Sequence, residues 1–125
     1  MMHEEVQIER RQHKRFRIKN RILTVQNREM NWTAHVVNIS AGGMAVRYID
    51  KGKLLTSTTE VDILKDSDVF MTGIPVTVMR DFRYKDDENF TTVMERQSCM
   101  KFGELTPDEH DHLDYLIMKY SWGEA

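Results

Sequence analysis

Two short segments combine residue types and spacing suited to holding an anion and a base. The first is Arg10-Arg11-Gln12-His13-Lys14-Arg15, with an R-x-x-x-R spacing between Arg11 and Arg15. The second is Asn38-Ile39-Ser40-Ala41-Gly42-Gly43, an N-x-S-x-x-G at the end of a strand-like run. Arginine offers a planar fork to phosphate oxygens or to the O6/N7 edge of guanine, and its flat face stacks on a base. Asn38 carries an amide donor and an acceptor for a base edge, and Ser40 a hydroxyl. The adjacent glycines tolerate positive φ and admit a ligand close to the backbone, where a Cβ would collide.

Other chemistries find little support. Cys99 lies inside a strand-like run and reads as a small core residue. A single cysteine excludes an intramolecular disulfide and a Cys-rich zinc site, and it suits a reducing cytoplasm. No G-x-S-x-G elbow surrounds Ser40. His110 and His112, two apart on a helical segment, do not share a face and make a poor metal pair. Asp86-Asp87-Glu88 lacks the spaced ligands of a calcium loop and reads as a solvated hairpin tip. The expectation is a protein with no catalytic residues, no metal site and no cofactor.

The elements that must position these segments follow from periodicity. Phe16 and Ile18, then Ile22-Leu23-Thr24-Val25, are strand-like, and Asn31 to Ile39 places Trp32, Ala34 and Val36 on alternate positions. Met44, Val46 and Tyr48 share one face of the next strand, with Ala45, Arg47 and Ile49 on the other. Val61 and Ile63 alternate with polar residues. Ile74, Val76 and Val78 mark another strand, and Pro75 within it predicts an edge strand or a strand start. Thr91 to Phe102 predicts a long final strand. The period then changes: Thr106-Pro107-Asp108-Glu109 is a capping box with proline at N1, followed by an apolar stripe of Leu113, Leu116, Ile117 and Tyr120. About six short strands and one helix predict an all-β antiparallel barrel or sandwich closed by a C-terminal α-helix.

The chain of 125 residues fits one domain, and it has no apolar run near the roughly 20 residues that cross a bilayer. Its N-terminus carries acids where a signal peptide needs bases, so a cytoplasmic protein is expected. The net charge of −2 is uneven: residues 1–28 hold eight bases against three acids, whereas the remainder holds ten bases against seventeen acids. A basic arm on an acidic body fits a localised anion site and speaks against broad binding of nucleic acid.

The two motifs, in this order and about one strand pair apart, resemble the PilZ domain, a bacterial receptor module for cyclic di-GMP. The similarity runs from about Glu9 to Tyr120 and includes Glu9-Arg10-Arg11, the Met44-Ala45-Val46 strand and the Lys101-Phe102-Gly103-Glu104-Leu105 run. The resemblance implies a six-stranded antiparallel split barrel, residues 16–105, with a C-terminal helix, 106–121. A flexible N-terminus, 1–9, would precede an arginine-motif arm, 10–15, giving one domain over 10–121.

The resemblance further implies that Arg11 and Arg15 hold the nucleotide through phosphate and the guanine Hoogsteen edge. Arg10 would contact a second ligand of a stacked pair, and Asn38, Ser40, Gly42 and Gly43 would line the barrel surface beneath. Asn38 stands where aspartate is commoner, and Cys99 where glycine often is. Such a receptor acts on an unidentified downstream protein, as a monomer or weak homodimer, without membrane insertion. Two rivals are an adaptor of the same fold that binds no nucleotide and a nucleic-acid-binding barrel that stacks bases on Trp32 or Phe16.

Overall fold

The computed structural model describes residues 14–18, 22–26, 32–51, 58–66, 68–84 and 94–124. The strands are β1 (Phe16–Ile18), β2 (Ile22–Gln26), β3 (Thr33–Ile39), β4 (Gly43–Ile49), β5 (Thr58–Lys65), β6 (Asp68–Tyr84) and β7 (Glu95–Phe102). Helix α1 (Pro107–Tyr120) and a short β8 (Ser121–Glu124) follow. Every pairing is antiparallel. The order β2-β5-β6-β7-β4-β3 closes on itself through a β2–β3 pairing, so six strands form the expected barrel. Closure satisfies the backbone of strands that would otherwise be edges. Outside the ring, β1 adds to the end of β3 and β8 adds to β1.

Alternation delivers one side chain in two to the barrel interior. Ala34, Val36 and Ile39 of β3, Met44, Val46 and Tyr48 of β4, and Met100 and Phe102 of β7 are all buried in a single core. Trp32 joins them at 3% exposure, its ring 5.2 Å from that of Tyr48. It is therefore core, and the nucleic-acid reading loses its principal stacking platform. Asp62, expected to face solvent between Val61 and Ile63, is also buried, because the β5–β6 register shifts there. The Gly73 amide donates to its Oδ1 at 2.9 Å.

Pro75 does not mark an edge. It lies inside the 17-residue β6, which pairs with β5 along its first half and with β7 along its second. Pro75 falls at the join: its carbonyl accepts from the Gly103 amide at 2.8 Å, just beyond the last residue of β7. The proline nitrogen, which has no hydrogen to donate, faces that same side, at the end of the β6–β7 pairing.

Helix α1 begins as its sequence dictates. The Glu109 amide donates to Thr106 Oγ1 at 3.1 Å, and the Thr106 amide to Glu109 Oε1 at 2.9 Å. Leu113 and Leu116 are buried in the barrel core, with Ile117 and Tyr120 packed against it. The strand after the helix was not legible in the sequence: Gly123 pairs with Arg17 at φ 143°, a backbone conformation that favours glycine. Arg10, Arg11, the 1–9 segment and the 86–88 loop lie outside the described residues.

Candidate functional site

The turn between β3 and β4 is built around the Ser40 hydroxyl. Its oxygen accepts from the amides of Gly42 (3.1 Å) and Gly43 (3.2 Å) and donates to the Gly43 carbonyl (3.3 Å). The Ser40 amide also donates to that carbonyl at 2.8 Å. Ser40 is 6% exposed, so its hydroxyl is committed to shaping the loop. Gly43 is required for a different reason from the one its sequence suggests. The described glycines with positive φ are Gly73 and Gly123. At Gly43 a Cβ would lie 2.1 Å from the Met100 carbonyl oxygen of the neighbouring β7. Strand β7 thus passes hard against the turn, and the Phe102 amide donates to the Gly42 carbonyl at 2.9 Å.

This turn forms one wall of a cleft of about 510 Å³, within the usual range for small-molecule sites. Half-buried Arg15, just before β1, opens onto the same cleft. Sequence-distant Arg15, Ser40, Gly42 and Gly43 therefore meet in space. The floor holds Ala45 and Cys99, paired across β4 and β7. Lys101 stands beside the turn, paired with Gly43, Arg80 lies one strand beyond Cys99 on β6, and His110 comes from the first turn of α1. Among the described residues no carboxylate lines the cleft. In a chain with more acids than bases, Arg15, Arg80, Lys101 and His110 gather basic side chains around one concavity, an arrangement whose chemistry suits an anion.

Asn38 is not among the residues that line this cleft. It stands at its edge, in a cross-strand row running Arg17, Asn38, Ala45, Cys99, Arg80 over β1, β3, β4, β7 and β6. Two register shifts lie in that row, one at Val37 of β3 and one at Met79 of β6. Such bulges re-aim side chains and occur next to functional sites. The β6 bulge puts both Met79 and Arg80 on the outer face and returns Asp81 to the interior. There Asp81 accepts from the Tyr48 hydroxyl and from Arg96 Nε. Burial first, and the Asp81 carboxylate second, push the Tyr48 phenol up from its ordinary range.

Arg80, Lys101 and His110 were missed as site residues by sequence reasoning. Lys101 was visible only as part of a strand ending, and nothing local reveals a bulge at Met79. A larger depression, about 700 Å³, lies lower on the same outer face, lined by Arg17, His35, Arg47 and Glu95. It suits an anion less. Glu95 brings a negative charge, and Arg47 is engaged by Gln97 Oε1 at 3.0 Å and lies 3.8 Å over the Tyr84 ring. Among the described residues no cluster of three or more His, Cys, Asp or Glu could hold a metal ion. Nor is any described helix long and apolar enough to cross a membrane.

The fold has counterparts in solved structures. The PilZ domain of YcgR from Escherichia coli, solved with c-di-GMP, superposes with a TM-score of 0.66 at 13% identity, covering 90% of this chain and 92% of that one. The K. pneumonia MrkH–c-di-GMP complex gives 0.68 at 15% identity, covering 89% and 52%. The Bacillus subtilis inhibitor of motility, MotI/DgrA, gives 0.61 at 21% identity, covering 90% and 51%. This chain thus spans about half the length of MrkH and of MotI, and at these identities the likeness establishes the fold. No curated protein sequence matches the chain. The PilZ domain family profile matches residues 9–119, from the arginine motif through nearly all of the helix, and the chain belongs to the PilZ domain family.

Proposed function

We propose that this protein is a non-catalytic receptor for cyclic di-GMP, bound between the Arg10–Arg15 arm and the Asn38–Gly43 turn. The observation that carries the reading is the convergence of Arg15 with the Ser40–Gly43 turn on one cation-lined cleft with no carboxylate among its described lining residues. Arginine forks recognise both phosphate oxygens and the guanine Hoogsteen edge, so a dianionic diguanylate uses what this cleft offers. Two of the structural neighbours were solved with that ligand.

The same charges supply a mechanism for output. Residues 1–15 contain few apolar side chains, so binding free energy for placing the arm must come from the ligand. A dinucleotide bridging Arg11, Arg15 and the turn would hold the arm on the barrel and change the surface offered to a downstream protein.

The test is a calorimetric titration of cyclic di-GMP into the wild type, Arg11→Ala, Arg15→Ala and Asn38→Ala, with GTP and a short oligonucleotide as controls. Saturable binding by the wild type that both arginine variants lose is the expected result. A wild type that ignores cyclic di-GMP overturns the reading: a response to the oligonucleotide would favour a nucleic-acid barrel, and silence throughout an adaptor.

A further inference from the structure

The two recognised motifs account for one side of the cleft only. Two further cations that open onto it, Arg80 and Lys101, come from adjacent strands, β6 and β7, and belong to neither motif. Both are exposed, and both open onto the cleft. Lys101 is paired with Gly43, so its backbone is fixed to the motif turn itself. Arg80 owes its outward position to the bulge at Met79, and the inward bonds of Asp81 to Tyr48 and Arg96 hold that parity. The Arg80 guanidinium lies 4.7 Å from the Phe82 ring centroid, a contact that holds its side chain.

We propose that Arg80 and Lys101 form a second anion-holding pole, which takes the phosphodiester remote from the arginine arm, with Phe82 as the residue that positions Arg80. This rests on the cyclic di-GMP reading and adds to it. Arg80 and Asn38 are separated by three interstrand spacings, roughly 14 Å. That is a backbone separation, and a ligand that meets both ends of the row must lie across the Ala45–Cys99 floor. A ligand with two separated phosphodiesters can engage both at once. The second pole therefore selects for a dinucleotide over a mononucleotide, which fills one side only.

The experiment titrates cyclic di-GMP and, separately, GMP into the wild type, Arg80→Ala, Arg80→Lys, Lys101→Ala, Phe82→Leu and Phe82→Tyr. Arg83→Ala, an exposed arginine outside the cleft lining, is the control. Charge-assisted bonds of ordinary strength predict a loss of roughly tenfold to a hundredfold in dinucleotide affinity for Arg80→Ala. Arg80→Lys should recover part of it, and the dependence of affinity on salt should become shallower in Arg80→Ala. Phe82→Leu should lose a few-fold, with Phe82→Tyr restoring it, and the discrimination against GMP should narrow in Arg80→Ala. A wild type that binds while Arg80→Ala and Lys101→Ala bind equally well overturns the second pole and leaves the receptor reading intact. A wild type that does not bind overturns both.

Discussion

Replacing Gly43 by alanine should damage the fold and the site together, and the structure sets the size of the effect. The added methyl would lie 2.1 Å from the Met100 carbonyl oxygen and 3.2 Å from the Lys101 Cα. Carbon–oxygen contacts favour about 3.3 Å or more, so β4 and β7 must part locally by about 1 Å. A bond of 2.9 Å stretched by that amount is no longer one. The Phe102-to-Gly42 bond is the first at risk, with the Gly43–Lys101 ladder beside it.

Two or three lost backbone bonds at about 1 kcal/mol each, together with overpacking strain, give a destabilisation of about 3 kcal/mol. For a chain of this size that lowers Tm by about 10 °C, measurable by calorimetry or urea unfolding. Gly103→Ala is the internal comparison: its methyl would meet the Pro75 Cβ at 3.0 Å and Cγ at 3.2 Å, a contact the ring can relieve with a smaller shift. Cyclic di-GMP affinity should fall in Gly43→Ala and stay near wild type in Gly103→Ala. A Gly43→Ala protein within about 2 °C of the wild-type Tm would refute the reasoning, because strand separation on that scale cannot be free.

Further expectations follow from other contacts. Ser40→Ala leaves the Gly42 and Gly43 amides without their acceptor, which should cost about 1–3 kcal/mol in urea unfolding and weaken ligand binding. An unchanged midpoint would show that the turn holds without the hydroxyl. Thr106→Ala removes the α1 cap and should cost about 1 kcal/mol with little effect on ligand affinity. Because burial and Asp81 raise the Tyr48 phenol, its contribution to stability is complete below about pH 10 and is lost as pH rises towards its folded value. Alkaline unfolding monitored by circular dichroism should accordingly be less steep in Tyr48→Phe, and an identical profile would dismiss the Tyr48–Asp81 bond as its source. Cys99 on the cleft floor should react with a maleimide more slowly once cyclic di-GMP is bound; equal rates with saturating ligand would place the ligand elsewhere.

Much of this protein was legible in its residues because the signals were local. The Thr106–Glu109 capping box, the Leu113–Tyr120 stripe and the alternation of Met44, Val46 and Tyr48 each involve neighbours in sequence, and each element appears where its pattern lies. The motif turn was visible too, since serine and glycine at that spacing close a loop through their own backbone. Other features depend on partners far along the chain. Pro75 read as an edge strand or a strand start, but it sits inside β6 where the pairing passes from β5 to β7. Gly43 read as room for a ligand, whereas β7 behind it needs the space. Strand β8 carries no strand pattern of its own and pairs along the edge that β1 offers.

The division within the site has the same cause. Residue types alone announced arginine forks, an amide and a glycine turn, together with a basic arm on an acidic body. Which cations face that turn was decided by barrel closure and by register. A bulge of one residue at Met79 determines whether Arg80 or Asp81 points outward. Since successive strand residues face opposite sides, a single inserted residue exchanges a cation for a carboxylate on the surface, and only the pairing of β6 with β7 records it.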